Sequence, residues 1–185
     1  LSDTQRGFVG SYELIWFTNT GYLDTTRIHR NANGPIWEFK ELPDGKFICF
    51  CSCSQYEGQP VSKLFRVHAD GSLDTTFFTG ANWGEANDFL PLADGRVYAA
   101  GLFRRSGFPD DTLNLVRFLP NGDLDPTFNN HLDFEKGDLD GIGPNVFALH
   151  QLAADRILVM GRFISIDGQP HFGLAVIDST GTVLD

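Results

Sequence analysis

The chain has 185 residues, 42% of them hydrophobic and 21% charged, with 17 Phe; it can bury a sizeable core, and the composition excludes disorder as its dominant state. A formal charge of -10 argues against a nucleic-acid backbone or an anionic membrane surface as partner, since both reward Lys and Arg. No run of 18 apolar residues exists, so no membrane-spanning helix is expected, and residues 1–10 lack the charged-then-apolar profile of a signal peptide.

Taken in order, the chain repeats itself. A strand-like run at 12–18 leads into Thr20-Gly21-Tyr22-Leu23-Asp24-Thr25-Thr26, a weak copy of a phrase written most clearly as Asp70-Gly71-Ser72-Leu73-Asp74-Thr75-Thr76-Phe77. The phrase returns at Asn121-Gly122-Asp123-Leu124-Asp125-Pro126-Thr127-Phe128 and at Thr180-Gly181-Thr182-Val183-Leu184-Asp185. With Leu-Asp as the marker, Asp24, Asp74, Asp125 and Asp185 lie 50, 51 and 60 residues apart.

Each of the first three markers is followed by an apolar segment (36–42, 88–92, 146–152) and then a tight turn, Asp44-Gly45, Asp94-Gly95 or the degenerate Ala154-Asp155. Asp-Gly between two apolar runs is a strong hairpin signal, because both residues tolerate positive φ. A second strand follows (47–53, 97–103, 157–163), then a Gly/Pro turn (Gly58 and Pro60, Gly107 and Pro109, Gly168 and Pro170), then a third strand (63–68, 114–119, 173–178). The second strand ends in Gly101-Leu102-Phe103 and Gly161-Arg162-Phe163, with Cys51-Ser52-Cys53 in that slot of the first copy. Glycine there predicts close backbone approach or a bulge.

Each unit reads as a four-stranded meander without helical period, unable to cover both of its faces alone. The predicted class is all-β and β-propeller-like, with a stacked β-solenoid as the alternative. One repeat domain spans 1–185, with a partial blade at 1–23 and repeats at about 24–73, 74–124 and 125–184. Three blades and a fraction do not close a ring, so the expectation is part of a larger propeller, or a half that pairs with another copy.

The recurring carboxylates Asp24, Asp74, Asp125 and Asp185 stand just after a turn, where each is expected to accept neighbouring backbone N–H groups in an Asx-type turn. Arg66 and Arg117, in mid-strand, are expected to reach such an Asp and form a repeated ion pair; lining a central channel is the alternative. Cys49, Cys51 and Cys53 share one strand face at about 6.5 to 7 Å spacing, too far apart for tetrahedral zinc. They are expected to be buried free thiols rather than a disulfide scaffold. In the longest insertion, 129–145, Asp138 and Asp140 next to Gly141 are weak calcium candidates. An EF-type loop would need a ligand at Lys136 and a closing Glu, so a solvated acidic loop is the expectation.

Aromatic residues are the more promising binding clue. Trp83, between Gly80 and Gly84 and beside Asn82, is read as lying in an inter-blade loop, where it either stacks on a sugar ring while the amide reads hydroxyls or covers a blade seam. Tyr56 near Gly58 is the second candidate, whereas Trp16 and Trp37 are expected in the core. The five His show no metal-ligand spacing, no Gly-x-Ser-x-Gly elbow is present, and no cofactor is called for.

Leu64 to Phe77 and Leu115 to Phe128, together with Pro43-Asp44-Gly45-Lys46 and Gly101 to Phe103, resemble the delta-60 repeat family of bacterial proteins. Its pattern is similar to Leu-x-Arg-Leu-x-x-Asp-Gly-Ser-Leu-Asp-x-x-Phe followed by a Pro-Asp-Gly-Lys strand. Trp16 and Val176 depart from it where Arg66 and Arg117 stand. The resemblance implies a propeller-like, secreted or cell-surface bacterial module, often part of something larger, with no established catalytic residues to carry over. The expected function is a non-enzymatic extracellular binding or scaffold module recognising glycan or a surface protein through its loops. A polysaccharide hydrolase or lyase with its site at the propeller axis and a purely structural spacer are the rivals.

Overall fold

A computed structural model describes residues 13–105, 108–137 and 143–184. The first part of the chain forms β1 (Ile36–Glu41), β2 (Phe47–Cys51), β3 (Gln55–Tyr56), β4 (Gln59–Pro60) and β5 (Leu64–Val67). The middle part forms β6 (Ala81–Pro91), β7 (Val97–Arg105), β8 (Phe108–Phe118) and β9 (Phe134–Glu135). The last part forms β10 (Asn145–Ala153), β11 (Arg156–Arg162), β12 (Ser165–Ile166), β13 (Gln169–Pro170), β14 (Leu174–Asp178) and β15 (Val183–Leu184). Among the described residues there is no helix.

Three meanders follow one another: β1-β2-β5, β6-β7-β8 and β10-β11-β14-β15. The Asp-Gly turns work as anticipated in the first two, Gly45 and Gly95 sitting at φ 79° and 85°, a region in which a side chain is strained. The fourth strand is a pair of residues in the third meander and a single bridge in the others, Val67 with Leu73 and Phe118 with Leu124. The same bridge, Phe17 with Leu23, marks an outer hairpin ahead of the first meander. The architecture is all-β and propeller-like.

What makes these sheets blades is that successive meanders cover one another with alternate strand residues. Ile48, Phe50 and Leu64 of the first blade meet Phe89, Val97, Ala99, Val116 and Phe118 of the second in one core. Tyr98, Ala100 and Leu115 of the second meet Ile157, Val159, Ala175 and Ile177 of the third in the next. Cys49, Cys51, Phe65 and Val67 are covered in turn by Leu14, Ala32 and Ile36. Each strand thus has a forward side, facing the next blade, and a backward side, facing the previous one, as period-two side-chain alternation requires.

Two expectations are corrected at this level. The insertion at 129–145 is not simply a solvated loop: Leu132 and Phe134 are buried in the core between the second and third blades, and β9 pairs with β12. The cysteines are not all free, because Cys51 and Cys53 form a disulfide across a Cα separation of 5.1 Å. β2 ends at Cys51 and the chain bends at Ser52, so the extended spacing assumed for a continuous strand does not reach Cys53. By register the Cys53 sulfur takes the place of Phe103 and Phe163, both buried. Cys49 stays a free thiol, and burial pushes its pKa up to about 12, which leaves it inert as a nucleophile at neutral pH.

Candidate functional site

The recurring Asp and Arg residues form buried charge networks. Arg66 Nε donates to Asp74 Oδ2 at 2.8 Å and Lys46 Nζ to the same oxygen at 2.9 Å. In the next blade, Arg117 Nε and Arg96 Nη1 donate to Asp125 Oδ2 at 2.8 and 3.1 Å. The second oxygen of each carboxylate accepts the backbone N–H and hydroxyl of the residue two ahead, Thr76 or Thr127, and Asp24 does the same with Thr26. Burial opposes ionisation of Asp74 and Asp125, yet these hydrogen bonds outweigh it and hold both carboxyls well below the usual carboxylate range. Arg117 also donates to Tyr98 Oη and to the Ser179 carbonyl of the third blade, with its guanidinium over Phe128. Both oxygens of Asp74 and of Asp125 are thus taken up inside the fold.

The third blade breaks the pattern. Its turn places Asp178 where His68 and Leu119 stand, since Gly181 N–H donates to Asp178 O as Gly71 does to His68 and Gly122 to Leu119. Counting on from that glycine, Leu184 and not Asp185 holds the position of Asp74 and Asp125, and it pairs with Val176, which holds that of Arg117. The Leu-Asp marker is therefore one residue out of register at its last occurrence. Asp185 itself lies outside the described residues, as do Asp138 and Asp140.

A second set of polar contacts joins the first strands of the blades. β1, β6 and β10 run beside one another along the inner edge of the three sheets. Lys40 Nζ lies 3.8 Å from Asp88 Oδ1, and Asp88 Oδ2 accepts the Leu149 N–H at 2.9 Å. Asn145 Nδ2 donates to Glu85 Oε1 at 2.7 Å, and Asn87 Nδ2 donates to Asn145 Oδ1 and to the Val146 carbonyl, each at 2.8 Å.

Every one of these strands carries a bulge at the same register. Ile36 pairs with Cys51 but Glu38 with Phe50; Ala86 pairs with Gly101 but Asp88 with Ala100; Val146 pairs with Gly161 but Ala148 with Met160. The extra residues are Trp37, Asn87 and Phe147. A bulge re-aims its side chain out of the alternation, and Trp37 is 64% and Phe147 48% exposed. Glycine opposite the bulge has a steric cause, since a Cβ at Gly101 would run into the Glu85 carbonyl and one at Gly161 into that of Asn145. The glycines do announce a bulge, but it sits on the facing strand. Trp37 is thus not a core residue, and its indole N–H donates to Ser52 Oγ at 2.8 Å.

Trp83 is in β6 rather than in a loop, because the β6–β7 ladder runs on to the pair Ala81 and Arg105. It is 48% exposed, with the Arg104 guanidinium carbon 4.5 Å from its ring centre, and Asn82 beside it is the exposed residue of a second bulge. Tyr56 is fully buried, donating its hydroxyl to the Gly71 carbonyl at 2.7 Å, so it presents nothing to a ligand. Among the described residues, no group of three or more His, Cys, Asp or Glu could hold a metal ion, and no helix is long and apolar enough to cross a membrane.

A family model described as a domain of unknown function (DUF5122) beta-propeller matches residues 42–77 and 92–128. The two matched segments begin at Leu42 and Leu92, ahead of each Asp-Gly turn, and end at Phe77 and Phe128, so they lie in the same register of two successive repeats. The match supports a propeller-like repeat family. No curated protein and no solved structure matches the chain significantly.

Proposed function

We propose that the chain is a non-enzymatic binding module of an extracellular or cell-surface bacterial protein, and that it recognises carbohydrate along the bulged inner strands. The observation that carries this reading is the common bulge, which turns Trp37 and Phe147 outward at equivalent places around Asn87. Flat apolar rings beside fixed polar groups suit a sugar, whose faces are C–H surfaces and whose rim is hydroxyls; Glu85 and Asn145 supply acceptors and donors at the same edge. Trp83, backed by Arg104 on one face, offers a further platform.

Two features support the location. The Cys51–Cys53 disulfide fits an oxidising compartment, and the resemblance to delta-60 repeats points the same way. Charge supports the ligand class, since a net -10 disfavours polyanions and tolerates neutral glycans.

Titration against neutral oligosaccharides chosen from a glycan array tests the reading. Trp37→Ala and Trp83→Ala are each expected to weaken binding by at least about tenfold, the ~1.4 kcal/mol of one stacking contact, with the circular dichroism spectrum unchanged. An array without a ligand, or affinities untouched by both substitutions, overturns it.

A further inference from the structure

Two arginines that are equivalent by register end differently. In the second blade Arg117 Nε donates to Asp125, Nη2 to Thr127, and Nη1 to both Tyr98 Oη and the Ser179 carbonyl. In the first blade Arg66 repeats two of these contacts, Nε to Asp74 and Nη2 to Thr76. Among the described residues nothing accepts from its Nη1. The hydroxyl is missing because Ile48 pairs with Arg66 where Tyr98 pairs with Arg117. The carbonyl is missing although Pro120, one residue past Leu119, holds the place of Ser179, one residue past Asp178. Displaced blades are not the cause: Phe78 N–H donates to Asn121 O at 3.0 Å as Asn129 N–H does to Thr180 O at 2.8 Å.

Arg66, 5% exposed, instead lines a cavity of about 300 Å³ between the first and second blades, at the lower end of the size of small-molecule sites. Lys46 lines it too, and its Nζ, 2.9 Å from Asp74 Oδ2, has further N–H groups to give. Leu42, Pro43 and Pro120 make apolar wall. Asp44 and Asp94, from the two Asp-Gly turns, add half-exposed carboxylates.

We infer that this cavity binds a small aliphatic amino acid as its zwitterion, carboxylate on Arg66 and Lys46, ammonium towards Asp44 and Asp94, side chain against the apolar wall. A carboxylate brings two oxygens in one group, replacing the hydroxyl and the carbonyl that Arg117 receives from the fold. Charge then selects the ammonium. Lys46 and Arg66 are already balanced by Asp44 and Asp94, with Asp74 bonded to both cations, so a lone anion adds uncompensated negative charge. The inference is independent of the carbohydrate reading, which concerns Trp37, Asn87 and Phe147.

The test is an NMR titration of the chain with L-leucine as probe, beside leucinamide, N-acetyl-leucine and inorganic phosphate. L-leucine is expected to shift the amides of residues 44–46 and 94–96, and the amide and the acetyl derivative, each lacking one charge, to bind at least about tenfold more weakly. Ile48→Tyr, which supplies the hydroxyl that Tyr98 gives to Arg117, should weaken L-leucine at least about tenfold with every charge of the cavity kept. Should the larger side chain unfold the protein, Asp44→Asn stands in: it keeps the oxygen that accepts the Lys46 N–H, and should weaken L-leucine about two- to fivefold. Unmoved amides at the two turns overturn the inference, as does full affinity in the folded variants. Leucinamide or N-acetyl-leucine binding as tightly as L-leucine also overturns it, and phosphate doing so would mark a plain anion site instead.

Discussion

The second and third blades put the same strand positions to opposite uses. In the second, Arg117 and Asp125 are 1% exposed and ionised, their charges satisfied by Arg96, Thr127, Tyr98 and the Ser179 carbonyl. In the third, Val176 and Leu184 stand in their place with no polar atom to satisfy. The lesson concerns neighbours. A buried ion pair is tolerable where the next blade donates or accepts the remaining hydrogen bonds, because uncompensated desolvation costs more than the charges return. In the third blade hydrocarbon stands in place of the pair, Val176 against Leu184.

The sharpest way to break the contrast is to remove one charge. Asp125→Ala leaves Arg117 buried against Arg96 without a carboxylate and should cost about 3–5 kcal/mol in urea denaturation. The double substitution Arg117→Val with Asp125→Leu, which writes the third blade's solution into the second, should cost clearly less than Asp125→Ala alone. Equal losses would show that the pair itself, and not the orphaned charge, carries the stability.

Acid should act in the same direction but more gently, since protonation leaves the oxygens in place. The folded carboxyls of Asp74 and Asp125 hold their protons more weakly than unfolded ones do. Their ionisation therefore favours the fold, fully so above the unfolded value near about 3.9, and this contribution is lost as pH falls through the folded value. Melting temperature followed downward from pH 5 should fall less in the Arg117→Val/Asp125→Leu protein than in the wild type.

The smallest effect is expected at the opposite end of the stack, where the Cys51–Cys53 bridge closes a very short loop. Reduction should cost roughly 1.5 kcal/mol on loop entropy, read as a lower denaturation midpoint in reductant that a Cys51→Ala/Cys53→Ala protein does not show.

The blade scaffold was readable because its turns make demands that few residues meet: Asp44-Gly45, Asp94-Gly95 and the Gly-x-Leu-Asp phrase each fix a backbone shape. The site was less readable. Gly101 and Gly161 signalled a bulge, but the residues it turns outward, Asn87 and Phe147, belong to the facing strand and are found only once the pairing is known. Tyr56 sits near a turn glycine and so reads as exposed, yet it bridges to Ala32 and is enclosed. The last repeat could have been aligned from sequence by counting from its turn glycine: the third residue after Gly21, Gly71 and Gly122 is Asp, and after Gly181 it is Leu184. Matching the Leu-Asp letters instead shifted the frame by one. The disulfide had no such signal, because period-two spacing describes a strand and cannot say where the strand stops.

The three bulges have a consequence for how such a surface can change. Packing between blades is carried by the residues on either side of each bulge, while the bulged residues Trp37 and Asn87 are tied to the fold by side-chain hydrogen bonds to Ser52 and to Asn145 and Val146, and Trp, Asn and Phe already occupy the three equivalent places. The fold thus separates vocabulary from grammar: the inner rim is a row of interchangeable letters, which selection or a designer can respell one blade at a time while the sheets beneath keep their register.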